Sequence, residues 1–360
     1  MSAKNQIVKI GICGLGRSGY GIHCKALKDM GDNFTVHGVY DPIAERKNAV
    51  AEEFGAKSYA DYATMLVDPE VDLVIVASPN KYHAAHAIQA LKAGKHVLCE
   101  KPFGLTVDDV DAMIAASEEN SCVLQPFQQR RYEEDFCKVK EICESGLLGE
   151  IQFIRICWHG FKRRWDWQTM RTHAGGALNN NGPHPIDHAL ELFGDAEPEV
   201  WAEARRCLCS GDAEDYIKII MTAPGHPTVE IELDDITAYP QDRWFVCGTK
   251  GGLHGGTARL DWKYVDWSVM PERPVCPAPT PDRSYNNENL DWQEDCWSPA
   301  VASDSGAGAA PAQQPVFDLY SGMYDAIVNS EPQQITPQQV RKRIRILEKV
   351  REFTGIPALI

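Results

Sequence analysis

Along the first 125 residues, short runs rich in Val, Ile and Leu alternate with stretches in which apolar residues recur every three or four positions. The runs Ile7–Cys13, Phe34–Tyr40, Val71–Ala77, His96–Cys99 and Cys122–Gln125 predict strands. Between them, Tyr20–Met30, Ile43–Phe54, Tyr82–Ala93 and Val107–Asn120 predict helices. The run VDLVIVA (71–77) is apolar throughout, the pattern of a parallel strand covered on both faces. Regular strand–helix alternation predicts a doubly wound parallel sheet.

Beyond residue 125 the rhythm changes. A helix is expected over Glu133–Ser145 and a strand over Ile151–Trp158, followed by a helix over Pro183–Phe193. Val200–Cys207, Tyr216–Thr222, Thr228–Asp234, Trp244–Gly248 and Ala258–Trp262 then read as strands without helices between them. Such a run predicts a mostly antiparallel open sheet. Eight prolines between Met270 and Pro315, with the stretch SDSGAGAAPAQQ, predict loops over 270–315. A helix over 337–354 closes the chain. The expected class is α/β overall, with a first domain at 1–125 and an α+β second domain at 126–360.

Composition narrows the function classes. The 360 residues are 44% hydrophobic and 24% charged, as in globular proteins. A formal net charge of −15 repels a phosphate backbone, so no nucleic-acid partner is expected. The basic stretch Arg341–Arg345 is interleaved with Ile344, Ile346 and Leu347, as on an amphipathic surface helix. No apolar run reaches the ~18 residues of a membrane span. Twelve cysteines without a CxxC pair, and an N-terminus without a signal-like apolar core, predict a reduced cytoplasmic protein. No His, Cys and carboxylate spacing demands a metal.

The segment IGICGLGRSG places Gly14-x-Gly16-x-x-Gly19 directly after a predicted strand and before a helix. In that setting Gly14 permits a tight turn, Gly16 admits the pyrophosphate, and Gly19 allows close packing. The helix start then offers free N–H groups to the phosphates. Asp41 ends the second strand, 22 residues past Gly19, where a carboxylate accepts from the ribose hydroxyls and repels a 2′-phosphate. This favours NAD over NADP, with Arg46 nearby as the opposing feature. Asp41 also suits a turn before Pro42.

Two later segments bear on chemistry. In ASPNKYHAAHAIQALKAGKHVLCEKP (77–102), Pro79-Asn80 turns at a strand end, and Glu100-Lys101-Pro102 brings a lysine to the same carboxyl edge. In GGALNNNGPHPIDH (175–188), Asn180, His184 and Asp187 would share a face of a continuous helix. Pro183 and Pro185 place the helix start near Gly182. His184, with an ordinary pKa of ~6.5, is the expected proton acceptor, assisted by Lys101. Asp187 either touches substrate, orients His184 or ties the helix down. The aromatic stretch WHGFKRRWDW (158–167) fits either a carbohydrate face or an inter-domain hinge, and Arg163 or Arg164 fits a carboxylate.

Together GLGRSG, Asp41, SPNKYH, GKHVLCEKP and GGALNNNGPHPID resemble the Gfo/Idh/MocA oxidoreductases, from about residue 6 to 265. The resemblance implies a Rossmann domain followed by a C-terminal α/β domain whose open sheet makes homo-oligomer contacts. It implies NAD(P)-dependent oxidation of a hydroxyl on a sugar or cyclitol, with Lys101 and His184 catalytic. It places Gly14, Leu15, Gly16, Arg17, Ser18, Asp41, Ser78, Pro79, Asn80, His83, Glu100, Lys101 and Gln128 around the cofactor. Asn180, Asp187, Trp165 and Arg164 fall around the substrate. Asn180 stands where many relatives carry aspartate, so an amide able to donate and accept replaces a carboxylate. Within the family the segments are most similar to DgpA-like glycoside 3-oxidoreductases, which implies a 3-keto product. An inositol or glucose dehydrogenase, and a redox-neutral NAD-using glycosidase or lyase, are the alternatives.

Overall fold

The computed structural model describes residues 6–299 and 313–357. Six strands form the first sheet: β1 (Val8–Cys13), β2 (Phe34–Tyr40), β3 (Lys57–Ser58), β4 (Leu73–Val76), β5 (His96–Cys99) and β6 (Leu124–Pro126). Their order is β3-β2-β1-β4-β5-β6, with every pairing parallel. This is the doubly wound Rossmann arrangement. Every residue of Leu73–Val76 is buried, the reason its sequence carries no polar alternation. In register, Cys13 pairs with Val76 and Val76 with Cys99, so β1, β4 and β5 end together at one edge.

The second sheet has eight strands: β7 (Ile151–His159), β8 (Glu199–Arg205), β9 (Tyr216–Thr222), β10 (Thr228–Asp234), β11 (Trp244–Gly248), β12 (Gly251–Gly256), β13 (Arg259–Val265) and β14 (Trp292–Trp297). Their order is β14-β13-β12-β11-β7-β10-β9-β8. All neighbours are antiparallel except β7 and β10. Ile154, Ile156 and Trp158 of β7 point into the core, while Arg155 and His159 lie on the other face.

Several elements are absent from the sequence reading, among them the short strand β3, the glycine-rich strand β12 and the helix Tyr62–Leu66. Strand β14 falls within the expected loops, because its pairing partner Leu260–Val265 is remote in sequence and its own residues are largely exposed. The helix Gln313–Val328 was not expected, since Pro315 and a polar start mask its apolar stripe. That stripe (Val316, Leu319, Tyr320, Met323) packs on the first sheet's side, and Tyr324 donates to the Gln6 carbonyl at 2.9 Å. The rest of the expected loop region, 300–312, lies outside the described residues. The helix Pro337–Thr354 is capped by Thr336, whose Oγ1 accepts from the Gln339 amide at 3.2 Å. No helix among the described residues is long and apolar enough to cross a membrane. All twelve cysteines are free thiols.

Candidate active site

The glycine loop follows β1 directly. Gly14 sits at φ +95°, and a Cβ there would meet the Ala77 carbonyl oxygen at 2.5 Å. A Cβ on Gly19 would lie 1.9 Å from the Gly14 oxygen, so the turn closes only with glycine at both positions. A Cβ on Gly16 would meet nothing nearer than an Arg46 nitrogen at 4.0 Å. The loop is therefore tight within itself and open on the Gly16 side, a cradle that fits the pyrophosphate of a dinucleotide. Asp41 is buried, with Oδ2 accepting from the Leu15 amide at 2.7 Å and Oδ1 from the Ile43 amide at 2.8 Å. The loop and the end of β2 are thereby locked together. Arg17 and Ser18 continue the loop into the helical turn that starts at Gly19.

At the end of β4, Ser78 and Pro79 lead into a 3₁₀ turn, Asn80–Tyr82. The Asn80 amide donates to the Ala174 carbonyl at 2.9 Å and to Asn180 Oδ1 at 3.2 Å. Asn180 Nδ2 in turn donates to the Gln168 carbonyl at 3.0 Å. The Asn180 side chain, expected to grip a substrate hydroxyl, is first a tether between the two domains. Each end of its amide keeps one unused hydrogen-bonding position. An aspartate could not donate to Gln168, so the amide at this position has a local reason.

Lys101 leaves the end of β5, and its Nζ donates to the Asn180 backbone carbonyl at 2.8 Å. Burial, opposed by the Glu100 carboxylate and helped by Arg130, Arg17 and Arg343, brings its pKa down to about 8. His184 lies in the first turn of the Pro183–Phe193 helix and is 4% exposed. Its Nδ1 is buried without a hydrogen-bond partner among the described residues. Trp158 stacks on its ring, with centroids 5.5 Å apart and planes at 23°. Burial and then the charges of Arg130, Lys101, His188 and Arg343 pull the His184 pKa well below the usual range. The expectation of an ordinary histidine there gives way to one held neutral by a cationic, dry surround.

The helix that carries His184 is not continuous with the turn before it. Ala177–Asn180 forms one short helix, and the Pro183–Phe193 helix starts anew after Gly182. Asp187 therefore does not join Asn180 on one face. Its carboxylate accepts from Arg131 Nε at 2.6 Å and Nη2 at 2.9 Å, and Arg343 stands 3.8 Å away. Asp187 is 1% exposed, and these bonds tie the helix down.

Gln128 is fully buried; its Nε2 donates to the Pro183 carbonyl at 3.3 Å and its Oε1 accepts from Arg343. The residue thereby links the start of the His184 helix to the C-terminal helix. His83 is similarly enclosed, its ring nitrogens 2.7 Å from the Pro102 and Ser78 carbonyls. It braces the turn from behind. Ser78 turns its hydroxyl to His86 Nδ1 at 3.0 Å.

The aromatic segment divides its roles. Trp158 is buried beneath His184 and flanked by the Arg130 and Arg243 guanidiniums, 5.0 and 4.8 Å from its ring. Trp165 is 79% exposed. Arg164 bonds Asp166 and Gln168 and shares a cleft with Gln168, Asn180, Asn181 and Glu214. Sequence reasoning missed Arg130, Arg131 and Arg343, because their partners lie 3 to 215 positions away and no local pattern marks them.

One group has metal-like spacing: Cys157, His159 and Glu232, on the second sheet. Lys218 Nζ donates to Glu232 Oε1 at 2.8 Å. The Gln241 amide donates to His159 Nδ1 at 3.3 Å, which leaves the ring proton on Nε2, facing Glu232 Oε2 at 3.2 Å. The group is satisfied by its own proton and cation.

Comparison with known proteins agrees with this geometry. The chain is 33% identical over 207 residues to myo-inositol 2-dehydrogenase of Thermotoga maritima, covering 54% of this chain and 58% of that protein. An NAD-binding protein from Listeria innocua superposes with a TM-score of 0.78 at 26% identity, covering 97% of this chain and 98% of that one. A levoglucosan dehydrogenase, solved with NADH and levoglucosan, has a TM-score of 0.77 at 19% identity over 97% of this chain and 98% of that one, a likeness of fold. The family model for the NAD-binding Rossmann fold of the Gfo/Idh/MocA oxidoreductases matches residues 8–128, and that for the C-terminal domain matches 136–254. The chain belongs to the Gfo/Idh/MocA family of oxidoreductases with an NAD-binding Rossmann fold.

Proposed function

We propose that this protein oxidises a secondary hydroxyl of a sugar, cyclitol or glycoside, with NAD preferred over NADP. Bound in the Gly14–Gly19 cradle, with Asp41 toward the adenosine ribose, the nicotinamide would supply the hydride acceptor. The observation that carries the reading is that Lys101, at the carboxyl edge of the sheet, and the buried His184 lie near enough for the lysine charge to act on the imidazole. Ligands bind at that edge in doubly wound folds.

The electrostatics divide the work differently from the sequence expectation. Burial and the surrounding cations oppose the imidazolium that a base would become, so His184 acts as a neutral hydrogen-bonding partner of the substrate hydroxyl. Lys101, at about 8, is matched to taking that hydroxyl proton near neutral pH. Asn180 sets the lysine through its backbone carbonyl, and Trp158 fixes the plane of the imidazole. Trp165 and Arg164 stand on the substrate side, where an aglycone would project. Oxidation at C3 of a glucoside, as in DgpA-like enzymes, is the finer reading. Open-sheet contacts would assemble a homo-oligomer.

The test is to incubate the protein with NAD and, separately, with NADP, across glucosides, inositols and free sugars, and to identify products by NMR. A keto-glycoside with stoichiometric NADH supports the reading. Oxidation of inositol alone would replace the glycoside by a cyclitol, and aglycone release without NADH would replace net oxidation by redox-neutral chemistry.

A further inference from the structure

Behind Lys101 lies a line of buried polar groups that the reaction does not use. Glu100 is 3% exposed and His23 and Tyr320 are fully buried. One Glu100 oxygen accepts from the Lys101 amide at 3.0 Å. The other, Oε1, stands 3.3 Å from His23 Nε2 in an ion-pair contact, and neither atom has a hydrogen-bond partner among the described residues. His23 Nδ1 lies 2.8 Å from the Tyr320 hydroxyl. Phe127 packs against the imidazole, with centroids 4.5 Å apart. Three distant segments thus meet here: the turn after the glycine loop, the end of β5 and the Gln313–Val328 helix.

The donor assignments follow from chemistry. Burial raises the Tyr320 pKa well above 10, so the phenol keeps its proton and donates to Nδ1. With Nδ1 accepting from Tyr320, Nε2 is the ring nitrogen that carries a proton on the Glu100 side. A carboxylate buried among apolar groups would otherwise take up a proton. The His23 contact is the first of the interactions that hold Glu100 below the usual carboxylate range against its burial. The charge retained on Glu100 is the largest influence supporting a proton on Lys101.

We propose that His23 and Tyr320 are positioning residues for Lys101: they fix the ionised state and orientation of Glu100, and so the proton affinity of the lysine. The relay makes the Gln313–Val328 helix part of the active-site electrostatics through Tyr320. Its catalytic consequence rests on the reading of Lys101 given above. The titratable and charged groups acting on Lys101 are Glu100 from its own strand end, Arg17 from the glycine loop, Arg130 from the turn after β6, Arg343 from the C-terminal helix and the neutral His184 from its helix. Among these groups Glu100 is the anion.

The experiment follows the Lys101 ammonium in the full-length protein labelled with ¹³C-lysine, its signal assigned by its absence in Lys101→Met. In the parent chain the midpoint falls near 8. His23→Leu lowers it by about one unit or more, the scale of a lost neighbouring charge. Tyr320→Phe, which keeps the ring, lowers it by less, because the imidazole proton is then free to settle on Nδ1. In a Glu100→Gln background His23→Leu produces no further drop. An unmoved midpoint in Tyr320→Phe and His23→Leu, or full additivity of His23→Leu with Glu100→Gln, overturns the relay. Should His23→Leu not fold, Tyr320→Phe decides alone. The rising limb of kcat/KM should move with the NMR midpoint. If Lys101→Met retained turnover, the catalytic reading would fall while the titration still judged the relay.

Discussion

Arg131 grips Asp187 through two nitrogens, Nε at 2.6 Å and Nη2 at 2.9 Å, with side chains 9% and 1% exposed. This pair joins the turn after β6 to the helix that carries His184. Arg343 approaches the same carboxylate and also bonds Gln128, so the C-terminal helix is tied to both. Asp187→Ala should therefore strand two buried guanidiniums. A loss of about 3–5 kcal/mol is expected, the cost of breaking a buried pair from one side. Urea unfolding monitored by tryptophan fluorescence measures it; a change below about 1 kcal/mol would show that the pair does not anchor the helix.

Oxidation should depend on pH through Lys101. The free amine takes the substrate proton, so kcat/KM rises with pH and levels above about 8. Lys101→Met should lose turnover while still binding NAD, since Nζ donates to the Asn180 carbonyl of the second domain. His184→Ala should lose about 10²–10⁴-fold. Steady-state rates and calorimetric NAD titrations check all three.

Cofactor preference should follow Asp41. Both its oxygens are held by backbone amides, so it cannot swing away from an incoming 2′-phosphate without breaking them. NAD should bind more tightly than NADP, and Asp41→Ser should narrow the gap. Equal affinities in the parent protein would remove Asp41 from this role.

Acid should destabilise the fold through its buried histidines. His188, stacked on Phe136 with centroids 4.1 Å apart, has its pKa lowered to about 3, and His86 to about 4, mainly by burial. A histidine with a depressed folded pKa contributes stability that is complete above its unfolded value of ~6.5. That contribution is lost as pH falls toward the folded value, by up to about 1.4 kcal/mol per pH unit for each group. Unfolding free energy should accordingly fall between pH 6.5 and 4. In His86→Gln that slope should be shallower, as followed by urea unfolding across the range.

The local chemistry of the chain was sufficient for the Rossmann sheet. Each of its principal strands is an apolar run, each crossover a periodic helix, and the GxGxxG turn demands glycine for steric reasons internal to the loop. Lys101 and His184 were legible for the same reason: EKP and PHP fix them at the ends of elements whose geometry the sequence determines nearby. What each side chain meets once there was decided by tertiary structure. Asn180 reads as a substrate ligand until Asn80, a hundred residues earlier, takes its carbonyl. Asp187 reads as a helix-face neighbour of His184 until Arg131 and Arg343 converge on it. Strand β14 has no periodicity to betray it, because pairing with β13 leaves most of its residues in water. The proton affinities of Lys101 and His184 were beyond sequence as well. They depend on burial and on arginines from three separate segments, and desolvation and Coulomb interaction are set by distance in space, which sequence spacing does not encode.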